Sequence, residues 1–535
     1  MRILIKILVL KFLLNSINVN GQVITGVRNF LLYPSITNQT EPVVVKHPFN
    51  QNLIFVSANT VNFNPFFISE GVYVSTNGGL SWIGSDTCKG EYINFHGGDP
   101  AITIDKNGNF ILNRLGRTPF AGLFSHISTD NGRTWSFQKL ITDHDLERSS
   151  IVSDINPSSP FYGRIYTCWV RFAPPYPVYF SYSEDGGLTW SIPRQVNLPP
   201  QRCAAGEIIL GLNGEIIIVY ALISSASPFY EQFVGLAKSF DGGANWIVND
   251  KVFPVKGVQG ILPEKQSIRI NGLPRIAMDY TNGPRKGWIY IVTTQKNLAP
   301  AGEDPDIILY RSTDGGNTWS NGIRVNQDQF NNGKIQYFPA ISVDDFGGIN
   351  IIYYDDRNTT SDSTGVFLSR STDGGETFTD YEISDKNFMP IPIGGLGQGY
   401  QGDLIAVTSV DNYLIPIWMD NRTGNYQLWY SRIDLNNLTK IEDVILPNNF
   451  EVSQNYPNPF NSETLIEIKG HIGENVDIDI FNLFGEKIYS RKVKLSQGGL
   501  EKIKITFHSD KPSGIYFYSV RNENKSIVKK MIYLK

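Results

Sequence analysis

The sequence has little cysteine and, after its first residues, no long hydrophobic run. Its three cysteines, Cys88, Cys168 and Cys203, are an odd set among 535 residues and lack metal-ligand spacing. No stretch repeats an apolar face every three to four residues, which argues against a helical fold. The formal net charge of -4 lacks the basic excess that is typical of nucleic-acid-binding proteins. The sequence therefore predicts no metal site, no cofactor and no nucleic-acid partner.

The N-terminus combines a basic residue with a short apolar run and a small-residue site. It reads MRILIKILVLKFLLNSINVNGQ, which is the layout of a secretory signal peptide cleaved near Gln22. A membrane anchor is the alternative, but Lys6 and Lys11 interrupt an apolar run that is already too short to span a bilayer. We therefore expect a signal peptide at residues 1–21, no transmembrane segment, and a secreted or outer-surface location.

One turn pattern recurs in a composition that suits short strands and tight turns, with Gly 49, Tyr 26 and Phe 31. The copies read STNGGLSW, STDNGRTW, SEDGGLTW, SFDGGANW, STDGGNTW and STDGGETF, and they start at Ser75, Ser128, Ser183, Ser239, Ser312 and Ser371. The steps between them are 53, 55, 56, 73 and 59 residues. A near-constant period of this size indicates an array of supersecondary units.

Each repeat contains four strand-like runs, which in the sixth are FPAISVD, INIIYYD, GVFLSRS and TFTDYEIS. Four antiparallel strands per unit, repeated radially, form a β-propeller. A seventh unit supplies only three strands, and the segment from Gln22 to Pro34 is available as its fourth, which would close the ring. The prediction for residues 22–436 is an all-β, seven-bladed propeller, with six blades as the alternative.

The repeated turn resembles the Asp-box, S-x-D-x-G-x-x-W, also called the BNR repeat, of sialidases and many other propellers. The Asp or Asn oxygen accepts hydrogen bonds from the turn backbone, the Gly permits positive φ, and the aromatic ring covers the turn. The turn joins strands three and four, and the resemblance to sialidases places the ligand at the opposite end of the ring. A structural role is therefore expected for the box residues Asn77, Asp130, Asp185, Asp241, Asp314 and Asp373.

Chemistry is expected at that opposite end, where the chain enters the first strand and leaves the second strand of each blade. Two long connections, Val255 to Pro274 and Ile383 to Gly402, reach the same end, and long polar loops on a rigid scaffold are common binding sites. The guanidinium fork of arginine pairs with a carboxylate at two points. The candidate ligand-binding residues are Arg114, Arg148, Arg171, Arg275, Arg357 and Arg422.

The resemblance to sialidases also implies a catalytic set: three arginines around the carboxylate of the sugar, a tyrosine nucleophile activated by a glutamate, and an aspartate acid/base. The candidate catalytic residues on this reading are Asp99, Tyr337 and Tyr400. The Arg-Ile-Pro signature of the family is absent, since the first unit reads TEPVVVKHP.

Several of these residues have a structural alternative. Asp99 lies in a Gly-Asp-Pro sequence that is common in turns. The sequences YYDDRN and WMDNRTGN repeat one Asp-Arg turn in neighbouring units, which favours local ion pairs for Arg357 and Arg422.

The chain changes character near Ile445, after a predicted linker at residues 437–446. Alternating strands in the last ninety or so residues indicate a small Ig-like β-sandwich. Its YPNPF opening, its FNLFGEKI and GIYFY strands and its KKMIYLK end resemble the type A sorting domain of the type IX secretion system. The resemblance covers residues 447–535 and implies recognition by that machinery and transport across the outer membrane. A fibronectin-like accessory domain is the alternative.

Two functions of the propeller follow from these expectations. The first is a sialidase-like module that binds a glycan or a surface protein on its arginine-rich face without turnover, which the missing signature favours. The second is a glycoside hydrolase of exo-sialidase type that acts on extracellular glycans. A purely structural or adhesive protein is a third possibility and predicts no defined pocket. Converging arginines above a Tyr–Glu pair would favour the enzyme, whereas arginines paired outward with separate aspartates would exclude it.

Overall fold

The structure is a computed structural model that describes residues 22–23, 27–63, 66–88, 96–227, 229–258, 260–438, 451–469, 475–495, 500–508, 510–522 and 526–535. The predicted signal peptide and most of the predicted linker lie outside these residues. The chain divides into two compact units, Met1–Lys440 and Ile441–Lys535. In the described residues no helix is long and apolar enough to cross a membrane.

The N-terminal unit consists of antiparallel sheets in which consecutive strands pair in chain order. We number these sheets 1 to 7 along the chain. Sheet 1 contains Asn38–His47, Asn50–Phe63, Phe66–Ser75 and Ile83–Ser85, and sheet 2 contains His96–Ile104, Phe110–Gly116, Gly122–Ser128 and Lys139–Thr142. Sheet 3 contains Ser150–Ser153, Ile165–Val170, Val178–Ser183 and Arg194–Gln195, and sheet 4 contains Cys203–Leu210, Ile216–Ile223, Glu231–Ser239 and Ile247–Pro254. Sheet 5 contains Arg275–Met278, Ile289–Gln295, Asp306–Ser312 and Ile323–Arg324, and sheet 6 contains Gln336–Val343, Ile349–Asp355, Gly365–Ser371 and Thr379–Glu382. Sheet 7 contains Ala406–Val410, Tyr413–Asp420 and Gln427–Tyr430, and Ile433–Asp434 pairs with its second strand.

The N-terminal segment completes the last two sheets. Phe30–Leu31 pairs antiparallel with Gln427–Tyr430 and is the fourth strand of sheet 7, while Gln22–Val23 adds in parallel to the outer edge of sheet 6. The first strands of neighbouring sheets contact one another around the whole ring, including the first strand of sheet 7 and that of sheet 1. The prediction of an all-β propeller is confirmed, and the seven sheets favour seven blades over six.

The second strand of each sheet is almost wholly buried, because it lies between strands one and three within a sheet and between two sheets in the ring. Residues Ile216–Ile223 and Tyr413–Asp420 show this, with nearly every side chain buried. Their continuous β-branched and aromatic sequence suits a strand that is covered on both faces. The three cysteines are free and belong to this buried core.

All six box turns share one set of hydrogen bonds. In the fifth, the Ser312 hydroxyl accepts from the Gly316 N–H at 2.8 Å and donates to Asp314 Oδ1 at 2.8 Å, while the Thr318 N–H donates to the same Oδ1 at 2.9 Å. The first box does the same with Asn77, whose Oδ1 accepts from the Ser81 N–H at 3.0 Å. An amide oxygen therefore replaces the carboxylate without a change of turn.

The box aromatic joins its own sheet to the preceding one. The rings of Trp135 and Phe55 are 5.7 Å apart, and those of Trp246 and Phe180 are 5.1 Å apart. Trp82 of sheet 1 contacts Tyr430 of sheet 7 at 5.7 Å, across the point where the ring closes. Aromatic pairs at these separations stabilise by about 0.5 to 1.5 kcal/mol beyond area burial, so the turn is a contact between sheets as well as a hairpin.

The connection between sheets 4 and 5 contains a small hairpin, Gly260–Leu262 and Ile268–Ile270, with the 3₁₀ turn Pro263–Lys265 between its strands. Lys265 is fully buried at this turn and donates from Nζ to Asp356 Oδ2 at 2.7 Å and to the carbonyls of Ser361 and Ser363. The Arg269 N–H donates to the Gly399 carbonyl at 2.7 Å. The hairpin is thus attached to sheet 6 and to the connection before sheet 7.

The C-terminal unit is a two-sheet sandwich. One sheet contains Glu451–Val452, Glu463–Lys469 and Leu500–Thr506, and the other contains Lys487–Lys494, Asn475–Phe481, Gly514–Arg521 and Ser526–Tyr533 in spatial order. The inner faces bury a core that includes Ile466, Ile478, Tyr518 and Met531. Tyr518 donates to the Ser453 carbonyl at 2.7 Å, which satisfies the hydroxyl of a buried ring.

Candidate functional site

A cavity of about 500 Å³ opens where the chain enters the first strands of the sheets. In an up-and-down sheet, strand one runs away from this end, so the box turns between strands three and four lie at the other end. We call the two ends the cavity end and the box end. The ionisable side chains that line the cavity are Glu41, Asp99, Glu147, Arg148, Arg202, Arg269, Arg275, Tyr400 and Asp403.

Four of the first strands share a bulge that turns one side chain toward the cavity. The strand pairing shifts at residues 40–43, 98–101, 204–207 and 337–340. The bulged residues Glu41, Asp99, Ala205 and Phe338 all have positive φ, between 44° and 54°. Proline follows three of them and cannot donate to the ladder. Left-handed backbone at non-glycine residues costs about 1 to 3 kcal/mol and is concentrated at functional sites.

The amide of Asn59, on the second strand of sheet 1, connects three of the cavity residues. Its nitrogen lies 3.1 Å from Glu41 Oε2, 3.3 Å from Asp99 Oδ1 and 3.4 Å from the Tyr400 hydroxyl. Its oxygen accepts from the Asp99 N–H at 2.6 Å. The Tyr400 hydroxyl also contacts Thr40 Oγ1 at 3.0 Å. Two carboxyl groups and a phenol are therefore held around one buried amide.

Burial raises the pKa values of this cluster. Burial, followed by the charge of Glu147, raises the pKa of Asp99 to about 6. Burial and the charges of Asp403 and Asp99 raise the pKa of Glu41 well above its usual range. Burial and the charge of Glu41 raise the pKa of the Tyr400 phenol as well. Near neutral pH, Asp99 is thus able to exchange a proton, which is the property that a general acid requires.

The four arginines of the cavity are of two kinds: two form an ion pair with a carboxylate and two do not. Arg269 forms an ion pair with Asp403 and donates to Gln398 Oε1 at 3.0 Å, and Arg275 pairs with Glu207 at 3.2 Å. Arg148 has no hydrogen bond or ion pair in the described part of the chain. Arg202 lies against three aromatic rings, and its Nε is buried without a hydrogen-bond acceptor among the described residues. These two guanidinium groups therefore lack a direct ion pair among the described residues, although the charge of Arg148 opposes the rise in the pKa of Asp99 and both charges oppose that of Glu147.

The structure places four of the six candidate arginines outside the cavity. Arg114 is fully buried in sheet 2 and donates to His126 Nε2 at 3.0 Å and to Gln138 Oε1 at 2.8 Å. Arg171 lies over the Tyr179 ring at 5.9 Å. Since both have neighbours in their own or an adjacent strand, neither is brought to the cavity, whereas Arg148 and Arg275 are.

Arg357 and Arg422 repeat one local ion pair, as their turn sequences suggest. Arg357 pairs with Asp355 at 2.6 Å and with Asp380 at 2.6 Å, and Arg422 pairs with Asp420 at 2.6 Å. Each guanidinium also stacks on a ring of the next strand, Phe367 at 4.5 Å and Trp429 at 4.3 Å. These two arginines are fully engaged at the ends of the second strands.

Of the candidate catalytic residues, Asp99 and Tyr400 line the cavity and Tyr337 does not. Tyr337 is fully buried and its ring packs on Phe338 and Tyr354. The bulge after Tyr337 turns the following side chain, Phe338, toward the cavity instead. The residues of the site that were not among the candidates include Asn59 in a buried strand, Arg269 in the hairpin, and the cavity-lining residues Glu41, Glu147 and Arg202.

Sequence comparison identifies the C-terminal unit. Residues 454–534 match the family of secretion system C-terminal sorting domains. This unit is a sorting domain of the type IX secretion system. The prediction from its sequence is confirmed, and the chain is exported to the cell surface or secreted. No curated protein matches the chain in sequence.

Several solved structures are similar to the chain. A protein of unknown function from Dyadobacter fermentans is 15% identical, with a TM-score of 0.44, over 77% of this chain and 100% of its own. An ulvan lyase of polysaccharide lyase family PL25 is 12% identical, with a TM-score of 0.47, over 76% and 96%. A leech intramolecular trans-sialidase is 11% identical, with a TM-score of 0.41, over 70% and 71%.

Proposed function

We propose that the propeller is a glycoside hydrolase of exo-sialidase type that cleaves the terminal acidic sugar from extracellular glycans. The observation that carries this proposal is the cluster in which Glu41, Asp99 and Tyr400 meet the Asn59 amide. A phenol beside a glutamate, with a second carboxylic acid nearby, supplies a nucleophile, its base and an acid in one cavity.

Each residue has a distinct role in this proposal. Asp99 protonates the departing glycosidic oxygen, for which its pKa of about 6 is suitable. Tyr400 attacks the anomeric carbon as the glycosidic bond breaks, and ionised Glu41 accepts the phenolic proton. Water, which gives a proton to Asp99, then cleaves the bond between Tyr400 and the sugar, and the Tyr400 phenol regains its proton from Glu41. Arg148 holds the carboxylate of the sugar, since its guanidinium has no ion pair in the described residues and a charge-assisted bidentate contact is strong.

A second function, binding of an acidic glycan without turnover, is favoured by two observations. The pKa of Tyr400 is raised, not lowered, so its phenol is protonated near neutral pH. Arg269 and Arg275 already have carboxylate partners. A lectin-like site needs only the cavity and its unpaired arginines.

The two functions are separated by release of free sugar from the full-length protein. The substrates are 4-methylumbelliferyl glycosides and trisaccharides that end in sialic acid, glucuronic acid or a neutral hexose. We expect release of an acidic sugar, at least 10³-fold slower in Tyr400→Phe, on the scale of a lost nucleophile. Tyr337→Phe is the matched control, because it removes the same hydroxyl from a tyrosine that is buried outside the cavity.

The remaining outcomes have definite meanings. Binding of acidic glycans without release, equal in the wild type and Tyr400→Phe, would support the binding function. Neither binding nor release by the folded protein would leave a structural or adhesive role.

A further inference from the structure

One wall of the cavity is aromatic rather than charged. Phe172 follows the second strand of sheet 3, and Phe229 lies in the connection after the second strand of sheet 4; both line the cavity. Their exposed fractions are 47% and 36%. Large aromatic side chains that stay exposed beside a polar cavity are typical of ligand-binding surfaces.

Arg202 lies among these rings. Its guanidinium carbon is 5.2 Å from the centre of the Phe172 ring, 4.7 Å from that of Tyr176 and 5.5 Å from that of Phe229. The rings hold the guanidinium by cation–π attraction. Among the described residues, its Nε is buried without an acceptor and no carboxylate forms an ion pair with it, although its charge acts on the nearby Glu147 carboxyl. We call Phe172, Tyr176, Arg202 and Phe229 the aromatic shelf.

The backbone holds the shelf in a fixed and strained form. Tyr176 and Phe229 have φ values of 58° and 60°, a region that bulky side chains rarely adopt. The Phe172 N–H donates to the Asp145 carbonyl at 2.8 Å and the Phe229 N–H to the Ala226 carbonyl at 2.9 Å. The Phe172 and Tyr176 rings pack edge to face at 5.6 Å. Strain at two adjacent loops that meet at one arginine is consistent with a preformed binding surface.

The size of the cavity exceeds the needs of one sugar. Its volume of about 500 Å³ lies within the range of about 300–1,000 Å³ that holds drug-sized ligands. The cluster of Glu41, Asp99 and Tyr400 belongs to sheets 1 and 2 and to the connection before sheet 7, whereas the shelf belongs to sheets 3 and 4. The two groups therefore line the same cavity from different sheets.

We propose that the aromatic shelf is a second sugar subsite and that the ligand is an acidic oligosaccharide of at least two residues. The C–H face of a neutral pyranose packs on Phe172 and Phe229, and Arg202 donates to a hydroxyl oxygen of that sugar. This inference rests on the proposed function, since the acidic residue of the ligand occupies the part of the cavity near Arg148.

The test measures equilibrium binding by calorimetry in the full-length protein carrying Asp99→Asn, which prevents turnover. The probes are methyl α-sialoside, 3′-sialyllactose, methyl glucuronide, a glucuronic-acid-terminated trisaccharide, and lactose. We expect an acidic trisaccharide to bind at least tenfold tighter than its monosaccharide. Phe172→Leu and Phe229→Leu, which keep apolar volume but remove the ring, should erase that advantage and leave monosaccharide affinity unchanged.

Phe240→Ala is the matched control, because Phe240 is an exposed phenylalanine at the box end. Equal affinity for mono- and trisaccharides, or an equal loss for both in the shelf variants, would overturn the subsite. Arg148→Met separates the two proposals. If lactose binds through the shelf and no acidic probe depends on Arg148, the shelf stands and the acidic ligand is wrong. If no probe binds the folded protein, both are wrong.

Discussion

The carboxyl groups at the two ends of the ring differ in how their charge is stabilised. At the box end, hydrogen bonds from the backbone and side chain of Asn245 lower the pKa of Asp241 to about 2 while the carboxylate stays in water. At the cavity end, burial and the charge of Glu147 raise the pKa of Asp99 to about 6. The same residue type is therefore fixed as an anion in a turn and kept near its titration point in a cavity, which separates a structural role from a chemical one.

The arginines show the same contrast. Arg357 and Arg422 are held by aspartates of their own turns and by a stacked ring, so they have no free donors to offer a ligand. Arg148 and Arg202 face the cavity without an ion pair in the described residues. Both side chains are half-buried, and their charges act on cavity carboxyl groups that they do not contact directly. Their donors can therefore pair with an anionic group of a ligand.

The largest expected effect on stability comes from breaking a paired arginine. Arg357→Met leaves Asp355 and Asp380 buried without their cation, so the free energy of unfolding should fall by about 3 to 5 kcal/mol. Arg148→Met should change it by less than about 0.5 kcal/mol. Urea unfolding followed by tryptophan fluorescence reports on the propeller alone, because all nine tryptophans precede residue 440. Equal losses of unfolding free energy in the two variants would contradict the distinction between the ion-paired Arg357 and Arg148.

The next effect concerns ligand affinity. Arg148→Met should weaken binding of an acidic sugar by roughly 10- to 100-fold, the scale of one lost charge-assisted hydrogen-bond pair. Arg422→Met, in which the lost partner is a turn aspartate, should leave that affinity unchanged in whatever fraction folds. Calorimetric titration of both variants measures the difference, and a loss confined to Arg422→Met would contradict the assignment.

The Asn59 amide contributes to the pKa of Asp99, and removal of the amide should shift that pKa. Its hydrogen bond lowers the pKa of Asp99, so Asn59→Leu should raise that pKa further above 6. The pH dependence of ligand binding or turnover should then move to higher pH by about one unit. A pH profile of unchanged position with only a lower amplitude would show that Asn59 has a packing role alone.

Stability should depend on pH with opposite sign at the two ends. Because the pKa of Asp99 is raised from about 3.9 in the unfolded chain to about 6, its effect makes the fold less stable as pH rises from 4 to 6. Asp99→Asn should therefore be more stable than the wild type by about 1 to 3 kcal/mol at pH 7 and equal to it near pH 4. Asp241 has a lowered pKa, so its contribution is present above pH 4 and is lost as pH falls toward 2.

The smallest effect is expected at a single box. Asp241→Ala removes the acceptor of the Asn245 N–H and should cost about 0.5 to 1 kcal/mol. Asp241→Asn should cost less, because Asn77 makes the same turn in the first box. Urea unfolding of both variants measures this. A loss of several kcal/mol in Asp241→Asn would mean that the negative charge itself is needed.

The periodic parts of the molecule could be predicted from the sequence, because the spacing of the boxes and the three-strand last unit report local hairpins directly. The residues of the site could be predicted less completely from the sequence, for a physical reason. A bulge shifts the side-chain alternation by one residue, so Phe338 faces the cavity where Tyr337 was a candidate. Asn59 lies inside a strand that reads as buried, and Arg114 satisfies its donors within its own sheet.

Asp99 and Tyr400 could be predicted as site residues because the connections that contain them could be assigned to one end of the ring. Arg269 could not be predicted, since its place depends on a hairpin whose buried Lys265 is held by Asp356, 91 residues further along the chain. Contacts between connections of different sheets leave no periodic trace in the sequence, and only the assembled ring brings them together.

The most direct test of the account applies one substitution to each end of the ring. Asp99→Asn and Asp241→Asn change the same atoms, and release of acidic sugar from sialyl and glucuronyl trisaccharides is measured for both in the full-length protein. The account predicts at least a 10²-fold loss in Asp99→Asn, with stability kept or raised, and unchanged release in Asp241→Asn. Full release by Asp99→Asn, or an equal loss in both variants, would contradict the assignment of chemistry to the cavity end.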